Sequence, residues 1–325
     1  MCLKDVLFSM HPQHLSRIAP YFTAMRFFCY CWCVAVLGLA SVVSAQSIRL
    51  MPAGLIPLAG QESLDIRTDS DGYLVAGTGK LSKAEVWAFP ERSKRATLKN
   101  SAKVASLRWD PQTGWLYGSA YKKPLRVWRT LEGKPHDAVP HTDTEKIRVL
   151  EFSAKSGWLA GGGWKQTPVW RTSLGKELQR AEPHRGLITS LAVLPGDTLL
   201  ASGGVDSLIA VQGVGVQRRP KMWKAHKGKV SCLAADPQGE WLASGGWDNC
   251  LKIWNPLTGK LLHEDCNGQN SLSALAVSPD GAYLFVGGWY DKLRIFRTED
   301  WTPVKQTHLV LPAGIQRLAV SSDGR

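Results

Sequence analysis

The sequence predicts an all-β chain folded as a β-propeller, with six complete blades and a truncated seventh. Three series of residues predict it. Aromatics close an apolar segment at Trp87, Trp128, Trp170, Trp254 and Phe296, at spacings of 41, 42, 84 and 42; the 84 is two periods, with Gln212 in the skipped place. A second series, Tyr73, Trp115, Trp158, Leu199, Trp241 and Tyr283, opens the preceding segment at spacings of 42, 43, 41, 42 and 42. The third series consists of turns: DSDG at 69, DPQTG at 110, SAKSG at 153, LPGD at 194, DPQG at 236, SPDG at 278 and SSDG at 321. Pro, Asp and Gly supply the backbone angles that hairpin turns need. Each unit therefore reads as short strands joined by tight turns, and a period of about 42 is the spacing of propeller blades.

The leader comes first in the chain. Met25 and Arg26 precede FFCYCWCVAVLGLASVV, uncharged and apolar, which runs into Val43-Ser44-Ala45, small residues in the pattern that signal peptidase reads. Residues 1–45 are expected to be a secretory signal cleaved after Ala45, which exports the protein to the periplasm or the medium. The other reading is an uncleaved membrane anchor, because residues 27–45 number nineteen, enough to cross a bilayer. The 24 residues before Met25 make an overlong leader, so translation is expected to begin at Met25.

Residues 46–325 form the expected propeller. A four-stranded sheet cannot bury both faces alone, so neighbouring blades cover one another and ring closure removes most free edges. Small residues recur in the first strand at Ala192, Ala234, Ala276 and Ala319, as crowding near a central axis requires. Unit starts fall near residues 64, 103, 146, 187, 229, 271 and 315, and Arg325 follows shortly after the seventh unit's first turn. The expectation is a truncated product or a fragment, either short of a closed ring or lacking a further domain; a six-bladed ring with a frayed tail is the alternative. In a seven-bladed ring the segment around Ser47–Leu50 would supply the last blade's outer strand, and here it has no expected neighbour.

The best-preserved unit, AHKGKVSCLAADPQGEWLASGGWDNCLKIWNPLTGKLL from Ala225 to Leu262, resembles a WD-repeat. The resemblance covers about residues 47–325. It implies that His226, Ser244, Asp248 and Trp254 form the family's structural hydrogen-bond tetrad. The fourth unit keeps His184, Ser202 and Asp206 but has Gln212 in place of Trp, and the sixth has Asp291 displaced by one residue and Phe296 for Trp. Recurrence of His141, His184 and His226 once per unit makes them blade features rather than metal ligands, because a catalytic site has no reason to repeat.

The turn between strands two and three carries Gly79, Tyr121, Trp164, Val205, Trp247 and Trp289 at one equivalent position, with Tyr290 beside the last. An antiparallel blade puts this turn on the same edge as the connection into the next blade. Tyr121, Trp164, Val205, Trp247, Trp289 and Tyr290, with Lys227 and Lys229, are thus the candidate partner-binding residues, on the rim where WD-repeat proteins commonly dock partners. Large aromatics suit a binding hot spot because they bury much area with few rotatable bonds lost. In the competing reading each ring only packs over its own glycine pair.

Net charge is +13, and removing residues 1–45 takes away three basic and one acidic residue, leaving +11. The densest basic run, QRRPKMWKAHKGK from Gln217 to Lys229, admits two readings: an attractor of anionic surfaces, or an edge strand kept from aggregating by its lysines. Of seven cysteines, Cys232, Cys250 and Cys266 lie outside the leader. If the turn at Pro256–Gly259 pairs residues whose numbers sum to 516, Cys250 and Cys266 face each other and a disulfide fits. A one-residue slip leaves two separate thiols instead. Cys232, alternating with Val230 and Ala234, reads as a small core residue. The sequence holds no phosphate loop, nucleophile elbow, zinc-spaced cysteines or haem motif, so no catalytic residue, metal or cofactor is expected. The expected function is a non-catalytic scaffold for a protein or peptide, with no specific nucleic acid and no small-molecule substrate. The alternatives are a regulatory propeller attached to an absent enzyme domain, and an electrostatic binder of an anionic polymer or membrane surface.

Overall fold

Short runs rich in Val, Leu, Ile and aromatics, cut by Pro, Asp and Gly, favour brief antiparallel strands. The computed structural model describes residues 33–39, 50–57, 63–69, 72–78, 84–304 with short interruptions, and 315–320. Strands β1 (Cys33–Leu39) and β2 (Leu50–Pro57) pair with each other. Blade one holds β3 (Ser63–Asp69), β4 (Gly72–Thr78), β5 (Glu85–Phe89) and β6 (Ser93–Thr97). Blade two holds β7 (Val104–Trp109), β8 (Leu116–Ala120), β9 (Lys123–Arg129) and β10 (Lys134–His136). Blade three is β11 (Val149–Phe152), β12 (Trp158–Gly162), β13 (Thr167–Arg171) and β14 (Lys176–Ala181). Blade four is β15 (Ile188–Val193), β16 (Leu199–Gly204), β17 (Leu208–Gly213) and β18 (Lys221–Lys224). Blade five is β19 (Val230–Ala235), β20 (Leu242–Gly246), β21 (Leu251–Trp254) and β22 (Leu261–Asp265), and blade six is β23 (Leu272–Val277), β24 (Tyr283–Gly288) and β25 (Arg294–Arg297).

Within every blade the strands pair antiparallel in chain order, and the first strands of successive blades adjoin around an axis. Two elements differ from expectation. In blade six the fourth strand is represented, among the described residues, by one bridge between Phe296 and Pro303, with the Val304 N–H donating to the Ile295 carbonyl at 2.8 Å. Pro303 brings no N–H to that ladder. Leu50, expected to lack a neighbour, pairs in the full-length chain with Leu39, which lies within the leader expected to be removed. Residues 47–49 lie outside the described residues. Among the described residues no helix is long and apolar enough to cross a membrane.

Burial follows position in the blade. All five residues of β12 and of β20 are buried, whereas β6 and β18 are mostly exposed. Second strands lie under both neighbouring blades and outer strands face water. The cores are shared between blades: Ile209 and Val211 of blade four pack with Val230, Leu233 and Leu242 of blade five. Positive φ at Gly239 and Gly281 (83° and 75°) lets the DPQG and SPDG turns close.

A bulge recurs where the first strand meets the second, at Val104/Ser106, Ile188/Ser190, Val230/Cys232 and Leu272/Ala274. Its unpaired residue in blades four, five and six is Thr189, Ser231 or Ser273, and the bulge aims that hydroxyl at the next blade. Thr189 reaches the Val230 carbonyl, Ser231 the Leu272 carbonyl at 2.5 Å, and Ser273 the Ile315 carbonyl. Residues 315–320 thereby occupy the inner position beside blade six. Ile315 donates its N–H to Gly288 at 3.0 Å and packs with Ala274, Phe285 and Ile295.

A second set of inter-blade bonds runs the other way. Ser106 accepts the Leu150 N–H at 3.1 Å, Ser190 accepts the Leu233 N–H at 2.9 Å, and in blade one Asp65 accepts the Trp109 N–H at 2.7 Å.

Candidate functional site

The edge of the propeller that carries the strand-two to strand-three turns is fastened by buried polar groups. His226 Nε2 lies 2.8 Å from Ser244 Oγ, His226 Nδ1 lies 2.8 Å from Asp248 Oδ1, and the Trp254 indole N–H donates to Ser244 Oγ at 2.8 Å. Asp248 also accepts the Lys227 N–H at 2.9 Å, which ties the turn to the connection from blade four. A Cβ on Gly246 would strike both His226 and Asp248, so only glycine leaves room for the pair. Burial pushes His226 below the usual histidine range against the pull of Asp248. For Asp248 burial acts upward, but the Lys227 N–H and His226 outweigh it and hold the carboxyl below the ordinary aspartate value.

Blade four repeats this arrangement with His184, Ser202 and Asp206 at 2.9 and 3.0 Å. Gln212, in the place of the Trp, accepts a hydrogen bond from Thr167 of blade three at 2.9 Å instead. In blades two and three, Gly118 and Gly161 stand where Ser244 stands, and the rings of Trp128 and Trp170 lie directly over them. The four-membered network is therefore complete in blade five alone among the described residues. His141 and Asp291 lie outside the described residues.

On this edge the largest apolar side chains are out in solvent. Trp164 is 54% exposed, Val205 42%, Trp247 59% and Trp289 46%. Val205, Trp247 and Trp289 share one backbone geometry, donating their N–H to Leu187, Lys229 and Ser271 at the head of their own blade's first strand, whereas Trp164 of blade three bridges to Leu187 of the next blade. Tyr121 and Tyr290 lie outside the described residues. Lys227 is exposed, while Lys229 is half-buried with its ammonium 5.0 Å from the centroid of the Trp247 ring. Burial, then Arg148, then Arg317 hold the Lys229 ammonium below the usual lysine range. Arg148, exposed beside the head of β11, and Arg317, exposed in the segment 315–320, were not singled out from sequence. Each is a lone basic residue without a counterpart in the neighbouring units, and only ring geometry brings both near Lys229.

The first part of the basic run is placed elsewhere, while its last members, Lys227 and Lys229, are on the rim. Arg218, Arg219, Lys221 and Lys224 are exposed on or just before β18, the outer strand of blade four; Gln217 lies outside the described residues.

Cys250 and Cys266 are joined by a disulfide, with Cα atoms 4.1 Å apart. The ladder beside them pairs Leu251 with Asp265 and Lys252 with Glu264, in the register summing to 516, before a bulge at Ile253/Trp254. Glu264 lies close enough to form a three-ligand group with the two sulfurs, but both sulfurs are spent on each other. Cys232 is a free, buried thiol that burial pushes up to about 12.

The central channel encloses about 210 Å³ lined by Ser106, Arg108, Glu151, Ser190 and Arg317, among others. Arg108 pairs there with Glu151 at 3.1 Å. Nearby, burial raises Asp65 to about 6 against the lowering effects of Arg108 and the Trp109 N–H. A second hollow of about 360 Å³ lies among the opposite-edge turns of blades three to five.

The WD domain, G-beta repeat family matches residues 175–211, 218–255 and 259–297. Each match begins around the outer strand of one blade and runs through the three inner strands of the next. The crystal structure of the WD40 beta propeller domain of Doa1 is similar in fold, with a TM-score of 0.69 at 16% sequence identity, covering 90% of this chain and 92% of that one. No curated protein matches the sequence.

Proposed function

We propose that this chain, a six-bladed WD40-type β-propeller, is a non-catalytic scaffold that holds a protein or peptide partner across blades three to six through Trp164, Trp247 and Trp289. One observation carries the reading: three tryptophans at the same count from the second strand of three blades are each about half exposed, whereas each of the other described tryptophans is buried or only partly exposed. A ring that merely packed over its glycine pair would be covered. Val205 takes the same place on blade four, and Lys227 and Lys229 flank Trp247; in the sequence Tyr121 has the equivalent position of the second unit and Tyr290 follows Trp289. Propellers of this type commonly serve as interaction platforms, which agrees with the reading at the level of fold.

Selection of 12-residue peptides from an unbiased display library tests it. Trp164→Ala, Trp247→Ala or Trp289→Ala should each weaken the selected peptides about 10- to 100-fold, the range of an aromatic hot spot, with unchanged circular dichroism. Peptides that bind the triple variant as well as the parent protein would sink the proposal. Loss of binding with added salt but not with loss of the tryptophans would favour the anionic-polymer reading, which rests on the exposed basic residues of β18.

Export is the second half of the proposal and rests on the apolar run ending at Val43-Ser44-Ala45. Intact mass of the protein recovered outside the cytoplasm should start at Gln46; a full-length mass in the membrane fraction would point to the anchor instead.

A further inference from the structure

The exposed apolar side chains fall on two surfaces. Trp164, Val205, Trp247 and Trp289 are on the rim; of the other large ones, all but Leu178 (Val216, Met222, Leu257, Leu261 and Leu262) lie on the outer strands of blades four and five or in the turns leading into them. Val216 is 53% exposed and Leu257 64%. These turns, from β17 to β18 and from β21 to β22, are at the edge opposite the tryptophans, because antiparallel strands put successive turns at opposite ends. The structure brings the two turns together. The Lys221 ammonium donates to the Leu257 carbonyl at 2.9 Å, and the blade-five turn crosses the Trp223 ring so closely that a Cβ on Gly259 would lie 3.0 Å from it. Arg218, Arg219 and Lys260 are exposed in the same two turns. Among the described residues the ion pairs of blades five and six engage Lys252 and Arg294 instead. The exposed described carboxylates of this edge in blades four to six, Glu240, Asp280, Glu299 and Asp300, belong to other turns, and Asp280 and Asp300 are bonded within theirs.

We infer that this patch docks on an anionic lipid bilayer: Val216 and Leu257 enter the interface, Arg218, Arg219, Lys221 and Lys260 meet the lipid headgroups, and the tryptophan rim faces away from the membrane. The inference goes beyond the docking reading above and does not depend on it. Cations beside an anionic surface gain from its potential, and aliphatic side chains gain by leaving water for the acyl boundary; together they give binding that neither supplies alone. A lipid surface fits better than a nucleic acid, because single strands are held by stacking on aromatics, whereas the exposed side chains between these cations are aliphatic. Trp223, the aromatic of the patch, is only partly exposed and lies against the Gly259 turn and the Trp254 ring, 5.9 Å away between centroids.

Co-sedimentation of the full chain with vesicles of phosphatidylcholine, alone or with about 30 mol% phosphatidylserine, at about 100 mM salt tests this. Each basic side chain at such a surface contributes about fivefold, so the anionic vesicles should bind about tenfold more tightly than the neutral ones, or better. Arg218→Glu/Arg219→Glu should weaken that binding by about tenfold or more, and Val216→Ser/Leu257→Ser by about threefold or more. Trp164→Ala/Trp247→Ala/Trp289→Ala should leave it unchanged. All these positions are exposed, so circular dichroism should match the parent. The apolar run at residues 27–45 is present in every variant; binding that it alone drives would respond to neither pair, and that result overturns the inference. Equal affinity for the two vesicle types does the same. Loss on the tryptophan variant would put the lipid on the rim and also overturns it. A response to Arg218→Glu/Arg219→Glu with none to Val216→Ser/Leu257→Ser, and with a single-stranded oligonucleotide competing for the site, overturns it in favour of a soluble anionic polymer. The docking reading survives any result in which the tryptophans play no part, since its own test reads peptides.

Discussion

Asp65→Asn should stabilise the propeller at neutral pH and do much less in mild acid. At the inter-blade latch Asp65 does what Ser106 and Ser190 do one and three blades further on: it accepts a backbone N–H from the neighbouring first strand. Serine performs that task without charge, so the charge on Asp65 is not needed for the bond. Burial raises the carboxyl from 3.8 to about 6, which means that the folded protein binds this proton more readily than the unfolded chain. The group's contribution to stability is therefore full below 3.8 and is lost as pH rises through about 6. At about 1.36 kcal/mol per pH unit the span amounts to about 3 kcal/mol at most, and the partial exposure of the carboxylate reduces it to about 1–2 kcal/mol.

Asparagine keeps an oxygen that can accept the Trp109 N–H and carries no charge at any pH. Arg108 retains Glu151 at 3.1 Å, so the substitution strands no cation. Urea unfolding followed by tryptophan fluorescence at pH 4.5 and 7.5 reads the difference. The variant should exceed the parent by about 1–2 kcal/mol at pH 7.5 and by about a third of that at pH 4.5, with equal slopes. An equal gain at both pH values, or a loss at pH 7.5, would refute the reasoning; the second outcome would mean that attraction to Arg108 outweighs desolvation.

The hydrogen-bond networks predict an unequal pair. Ser244→Ala removes the partner of both His226 and the Trp254 indole and should cost about 2–4 kcal/mol, whereas Ser202→Ala, whose blade has Gln212 in the Trp position, should cost about 1–2 kcal/mol; equal costs in urea unfolding would show that the indole bond contributes nothing. Alkylation of unfolded residues 46–325 should label Cys232 alone, and all three cysteines after reduction. Loss of the bridge in Cys250→Ser/Cys266→Ser, which closes a separation of 16 residues, should lower stability by about 3 kcal/mol, and three labelled thiols without reductant would contradict it.

The parts of this architecture that recur were open to sequence reasoning, because a repeat compares a chain with itself. His226, Ser244, Asp248 and Trp254 could be placed by counting from the turn at DPQG, and the exposed tryptophans by counting from Trp158, Trp241 and Tyr283. Even the 516 register of Cys250 and Cys266 follows from one turn. Counting did not reveal what the structure makes of a substitution. Gln212 reads as a missing Trp, yet it bonds to Thr167 of the preceding blade. Thr189, Ser231 and Ser273 recur at the blade period, but only the bulge turns them toward the next blade, and a bulge leaves no residue-type signature in the sequence. Arg148 and Arg317 could not be linked to Lys229 at all, since their proximity depends on how far the ring has turned.

That division has a physical basis in the channel. A charge repeated in every first strand would set like charges around a narrow axis, where low dielectric makes repulsion costly. Neutral hydroxyls can repeat there and charged residues cannot. Where charges do enter, they alternate: Asp65, Arg108 and Glu151 occupy successive blades with signs minus, plus, minus, and Arg108 is shared between its neighbours. Burial, rather than the charges beside it, is what raises the Asp65 carboxyl, because Arg108 lowers it more than Glu151 raises it. The charges of the channel are thus carried by the few residues that break the repeat, and Arg108 can sit there because Glu151 of the next blade pairs with it at 3.1 Å.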